Sequence, residues 1–163
     1  MAHGIVSEII PATSAAVFAV LHDYGRRLEW DTLLSAAYLH EGFSAADRGA
    51  ISTCIGRAAL GKVALTTKYV SFSPGRLAAV KMTRGPWLFE RWAASIKHAD
   101  LGDGRSRITY AWQFTAWPRV LRWLIEPLVN AIFCWETRKR LAALRKFMAT
   151  AGWYSPAVAA ERR

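Results

Sequence analysis

At 163 residues the chain is long enough for one domain with a full hydrophobic core and too short for two ordinary ones. An apolar fraction of 53% with eight tryptophans excludes a disordered chain and exceeds what a core alone needs, so some apolar surface is expected to line a cavity. The net charge of +10 sits mainly late in the chain, where residues 118 to 163 carry nine basic and three acidic side chains.

The N-terminus, MAHGIVSEIIP, lacks a basic region followed by an apolar run and is not a secretory signal. Ile5 to Ile10 reads as a strand ended by Pro11, and Thr13 or Ser14 supplies an N-cap for a helix over Ala15 to His22. After Gly25, Arg26 to Leu34 reads as a second short helix that carries Trp30 between Glu29 and Asp31. From Ser35 the period falls to two and predicts strands over Ala36 to Glu41, Ala50 to Arg57, Val63 to Phe72, Leu77 to Arg84 and Trp87 to Ala99. Gly61-Lys62, Ser73-Pro74-Gly75 and Gly85-Pro86 are the turns between the later ones. The Gly102-Asp103-Gly104 turn then opens the strand Ser106 to Ala116, with Ile108, Tyr110, Trp112 and Phe114 on one face and Thr109, Gln113 and Thr115 on the other. Short links between consecutive strands predict an antiparallel meander.

Pro118 to Thr150 reads as one long helix, with Pro127 either kinking it or starting its main segment. Val129, Phe133, Glu136, Arg140, Leu144 and Phe147 follow at steps of three and four and share one face, with Arg138, Lys139, Arg145 and Lys146 opposite. The run Ala111 to Trp135 is broken by Arg119, Arg122 and Glu126, so no membrane span of about 20 residues is expected. Residues 151–163 lose the periodicity and are expected to form a flexible tail after a single domain over 1–150. The whole predicts an α+β fold: a curved antiparallel sheet of about seven strands gripping a long C-terminal helix, with two short helices after the first strand.

Catalytic signatures are mostly absent: there is no Gly-x-Ser-x-Gly elbow, no His-Glu-x-x-His and no phosphate-binding loop. His3, His22, His40 and His98 share no ligand spacing, and His22 and His98 are expected at the surface or a rim. Cys54 and Cys134 read as separate buried thiols. Neither metal nor cofactor is expected. Glu136 and Arg140, at i and i+4 on the inward face, are expected to pair. That pair is either an anchor for a ligand head group or a stability device with Arg140 snorkelling past the sheet edge. Glu90, alternating with Leu88 and Trp92, is a second candidate for an inward carboxylate, with a solvated sheet position as the alternative.

The order of IPATSAAVFAVLHDYGRRLEW, FSPGRLAAVKM, SRITYAWQF and ETRKRLAALRKF along residues 3 to 150 resembles the START-like polyketide cyclase/dehydrase and lipid-transfer superfamily. The resemblance implies a helix-grip fold whose cavity takes a hydrophobic molecule of the lipid, quinone or aromatic polyketide class. It places Trp30 near the pocket mouth. Tyr69, Trp92, Tyr110, Trp112 and Phe114 from the sheet, with Val129 and Phe133 from the helix, complete the expected ligand contacts alongside Glu90, Glu136 and Arg140. Each aromatic taken singly reads first as core, whereas as a group, given the resemblance, they read as a pocket lining. A carrier or sensor is the leading expectation and an aromatic polyketide cyclase/dehydrase the alternative, in which Glu90, Glu136 or Tyr110 would move protons. The basic excess, with Trp117, Trp123, Trp153 and Tyr154, predicts peripheral contact of a cytoplasmic protein with anionic membranes, or else only a solvated helix face. Nucleic acid ranks below these because no recognition signature accompanies the charge. The oligomeric state is left open.

Overall fold

The computed structural model of the chain describes residues 1–57 and 62–150. Strand β1 (Ala2–Ile10) is followed by helices α1 (Ser14–His22) and α2 (Arg27–Trp30). Strands β2 (Leu34–Leu39), β3 (Ile51–Gly56), β4 (Ala64–Ser73), β5 (Leu77–Arg84), β6 (Phe89–Asp100) and β7 (Ser106–Ala116) come next. A single 3-10 turn (Arg119–Leu121) then leads into α3 (Arg122–Thr150). The strands form one antiparallel sheet in the order β1-β7-β6-β5-β4-β3-β2, a meander whose far edge is closed by the return of β1 to β7. The expected α+β helix-grip architecture is therefore present. The tail with Trp153 and Tyr154, and Gly61 of the predicted turn, lie outside the described residues.

Beyond shifts of a few residues at element ends, such as β1 starting at Ala2 and α3 at Arg122, three departures from the sequence reading bear on the site. The second short helix covers only Arg27–Trp30, because Asp31 ends it: its carbonyl accepts from Leu34 N and its carboxylate from Leu33 N, turning the chain into β2. Pro127 lies inside α3 and does not start it, so the helix simply forgoes one backbone hydrogen bond near its beginning. Between Phe89 and Arg91 a β-bulge inserts one extra residue and reverses the alternation, so that Phe89 and Trp92 both face inward.

Thr13 caps α1, its hydroxyl accepting from Ala16 N at 3.3 Å, and Asp100 at the end of β6 accepts from both the amide and the hydroxyl of Ser14 at 2.7 Å. Phe18 on the buried face of α1 meets Phe72 and His98 edge to face, closing one end of the curled sheet. Along the other half, α3 lies over β1 and β7. Phe133 contacts the rings of Phe89, Trp92, Trp112 and Phe114, with centroids 5.8 to 6.4 Å apart. The Trp112 indole lies across the β1 backbone at Gly4 and donates to Asn130 Oδ1 of α3 at 3.0 Å. A Cβ at Gly4 would fall 2.3 Å from Trp112 Cζ2, which is why the facing strand residue has no side chain.

Candidate ligand-binding site

Helix α3 packs chiefly on β1 and β7, and the sheet curls away from it through β5, β4 and β3. The concave face of those strands carries Cys54, Leu65 and Met82, all only partly buried, and Tyr110 on β7, the strand next to the β1 edge, is likewise partly buried. The space between α3 and β3 to β5 is thus bordered by side chains that are not fully packed.

A charged cluster stands at its helix side. Asp31, at 0% exposure, takes hydrogen bonds on one carboxylate oxygen from three nitrogens: Arg27 Nε at 3.1 Å, Arg140 Nε at 3.1 Å and Arg140 Nη2 at 2.8 Å. Arg27 also donates through Nη1 to the Leu21 carbonyl and lies over the Trp30 ring at 4.6 Å. Burial alone would raise the Asp31 carboxyl, but the charges of Arg140 and Arg27 outweigh it and hold the group below the usual carboxylate range. Burial opposes the Arg140 charge in turn, and Asp31 more than restores it. Two cations thus face one anion. Nη1 of Arg140 has no hydrogen-bond acceptor among the described residues, and Tyr110 and Cys54 are close enough for the Arg140 charge to act on both.

Beside this cluster Tyr24 and Tyr69 share a hydrogen bond at 3.0 Å, and the Tyr69 hydroxyl meets His22 Nδ1 at 2.9 Å. Burial pushes the hydroxyls of Tyr24, Tyr69 and Tyr110 and the Cys54 thiol up, keeping them protonated. Burial, with the charges of Arg27 and His98, pushes His22 down to about 3, and burial pushes His98 down to about 4. Both histidines are interior groups at 7% exposure, against the surface or rim position read from the sequence, because α1 turns its His22 edge onto the sheet.

The residues singled out from the sequence separate into groups. Trp92, Trp112, Phe114 and Phe133 pack on one another as a filled aromatic block, with Val129 beside it. Trp30 and Tyr69 are buried beside the polar cluster, at 3% exposure each, and Tyr110 and Arg140 are partly buried. Glu136 and Arg140 do not pair as expected: Arg140 turns to Asp31, and Glu136 Oε2 is buried with no hydrogen-bond partner among the described residues. Glu90 is not inward. The bulge beside it turns it to the surface, where it pairs with Arg122 and, at 3.6 Å, with Arg119. The sequence reading missed Asp31 and Arg27 as site residues. Their signal was an Arg and an Asp at i and i+4 around Trp30, next to an inward Arg140 that needed a counter-ion. Two open depressions elsewhere, about 500 Å³ beside Met1, His3 and Trp123 and about 340 Å³ on the convex sheet face, include none of the charged cluster.

Comparison with known proteins agrees with this geometry. A protein-family profile described as polyketide cyclase/dehydrase and lipid transport matches residues 1–149. No curated protein sequence matches the chain. Among solved structures, a START superfamily protein from Mycobacterium smegmatis superposes with a TM-score of 0.74 at 10% identity, over 91% of this chain and 98% of that one. The Zhui aromatase/cyclase from Streptomyces sp. R1128 gives 0.73 at 15% identity, over 92% and 97%. The protein XoxI from Bacillus cereus gives 0.73 at 14%, over 93% and 98%. At these identities the structures share the fold, and the profile carries the family assignment. The chain belongs to the polyketide cyclase/dehydrase and lipid transport family.

Proposed function

We propose that the space between α3 and β3 to β5 is a cleft that binds a hydrophobic small molecule, of the lipid, quinone or aromatic polyketide class, through an acidic or enolic oxygen at Arg140. The observation that carries this reading is the excess cation: Asp31 neutralises one of two guanidiniums and leaves Arg140 Nη1 without an acceptor among the described residues, beside a partly buried Tyr110. An anionic ligand oxygen would complete the charge balance, with the Tyr110 hydroxyl as a second donor. Leu65 and Met82 supply the apolar wall.

The reading favours carriage over catalysis. Tyr24, Cys54 and Tyr110 are pushed up, Asp31 is held down, and His22 and His98 lie at about 3 and about 4. None of these groups is poised near neutrality, where proton transfer is most efficient. One observation favours the cyclase/dehydrase alternative: Oε2 of Glu136, one helical turn before Arg140, is buried with no hydrogen-bond partner among the described residues and is available to a ligand hydroxyl.

Native mass spectrometry of gently purified protein is the test. The expected spectrum contains an adduct that organic extraction releases as a hydrophobic compound with an ionisable oxygen. A strictly unliganded spectrum, together with no binding across fatty acids, quinones and hydroxylated polycyclic aromatics, would overturn the proposal. Turnover of a polyketone that Glu136→Gln abolishes would move the assignment to the enzyme reading.

A further inference from the structure

Helix α3 is apolar on two faces over its first half. The inner stripe of Ile125, Val129 and Phe133 packs against the core. A second stripe of Leu121, Leu124, Leu128, Ile132 and Trp135, at steps of three, four, four and three, faces outward with exposures from 44% to 61%. Three more tryptophans extend it at the helix start: Trp123 is 76% exposed, and Trp87 and Trp117 stand edge to face in the adjoining loops. Eight large apolar side chains exposed on and beside one helix face mark a candidate interaction surface.

Along the helix the exposed charge is of one sign, and the exposed acid nearby, Glu90 of β6, is held by Arg122 and Arg119. Every fully exposed charged residue from Trp117 to Thr150 is basic, Glu126 and Glu136 being turned inward. Where the apolar stripe ends at Trp135, Lys139 places its ammonium 3.9 Å from the ring centre and Arg138 lies alongside, while Arg119 flanks the other end. Tryptophan belongs where an apolar phase meets a wet one, and a cationic border answers anionic head groups. A second copy of the chain docked about a two-fold axis would instead bring the basic borders, Arg119 and Arg138 with Lys139, against one another. No helix among the described residues is long and apolar enough to cross a membrane, so the contact is peripheral.

We infer that the outer face of the first half of α3, with Trp87, Trp117 and Trp123, docks on the interface of an anionic lipid bilayer. The inference does not depend on what the cleft binds. It does place the helix turns that carry Val129 and Phe133 on their inner side directly against the lipid surface.

Flotation of the full chain with phosphatidylcholine vesicles, with and without phosphatidylglycerol, at low and high salt, tests this. Binding is expected on the phosphatidylglycerol vesicles, weakened by salt and by Arg138→Glu with Lys139→Glu. The combined Leu124→Gln, Leu128→Gln and Trp135→Gln variant should lose at least about tenfold in partitioning while its far-ultraviolet circular dichroism stays that of the wild type. If that variant unfolds, Trp123→Ser alone, on a side chain that packs on little, should still weaken binding. Absence of binding at low salt, or binding unchanged by both apolar variants, would overturn the inference. So would sedimentation showing a dimer that the triple variant dissolves, since the face would then be a self-interface.

Discussion

The two halves of the space under α3 are built differently. Toward the start of the helix, Phe133 is wedged among Phe89, Trp92, Trp112 and Phe114, and the polar bonds, from the Trp112 indole to Asn130, from the Ala116 amide to Glu126 and from Arg122 to the Ala116 carbonyl, tie the helix to β7. Two turns further on, Arg140 reaches a fully buried Asp31 that already holds Arg27, and the sheet side chains opposite are partly open. A packed aromatic block gains about 1.5–3 kcal/mol for each large side chain buried and specifies the fold. A buried ion cluster gains little net stability, because desolvation consumes most of the Coulomb energy, so its retention points to a role other than holding the fold. On the proposed reading the grip is secured at one end and kept for a ligand at the other.

The sharpest way to break that division is Asp31→Asn. It leaves two guanidiniums close together with no anion and should cost about 3–5 kcal/mol in a denaturant melt. Glu90→Gln removes a carboxylate that also holds two arginines, but at the surface, and should cost under about 1 kcal/mol. Equal losses would mean that burial does not distinguish the two clusters.

Acid probes the same side through His22 and His98. In the unfolded chain both take up protons below about pH 6.5, whereas the folded groups stay neutral to about 3 and about 4. The unfolded state binds more protons in that window, so stability falls as pH drops, by roughly 2 kcal/mol per histidine between pH 6.5 and about pH 5. Melts of the wild type and of His98→Phe across that range check the sign. The variant should show about half the slope.

On the packed side, Gly4→Ala would bring a methyl group to 2.3 Å from the Trp112 ring and must push the indole off Asn130. An overpacking cost of about 1–3 kcal/mol is expected, with no change in ligand binding. A change in binding would show that the two halves are coupled.

Much of the frame was legible in the sequence because it rests on local period. The strands Leu77–Arg84 and Ser106–Ala116 fall where the alternation puts them, and Val129, Phe133, Arg140 and Leu144 share the inner side of α3 as their spacing requires. The misplaced features are those in which period is broken or distance decides. One extra residue at the bulge beside Glu90 turned a correct alternation to the wrong face. Glu136 was the acid nearest Arg140 in the chain, but the acid nearest in space is Asp31, 109 positions away, and nothing in a helical repeat encodes that meeting. His22 and His98 were misplaced for the same reason, being buried by the docking of α1 on the sheet.

The central claim, that Arg140 holds a ligand's acidic oxygen, is tested most directly by titrating two fluorescent probes. One is the anionic anilinonaphthalene sulfonate and the other the neutral Nile red, each measured on the wild type, Arg140→Lys and Arg140→Met. The account predicts that Arg140→Met weakens the anionic probe by roughly 10- to 100-fold, the worth of a hydrogen bond to a charged group at about 1.5–3 kcal/mol. Arg140→Lys should recover part of that loss, and Nile red should bind all three alike. Anionic and neutral probes that weaken together, or an anionic probe indifferent to the loss of Arg140, would contradict it.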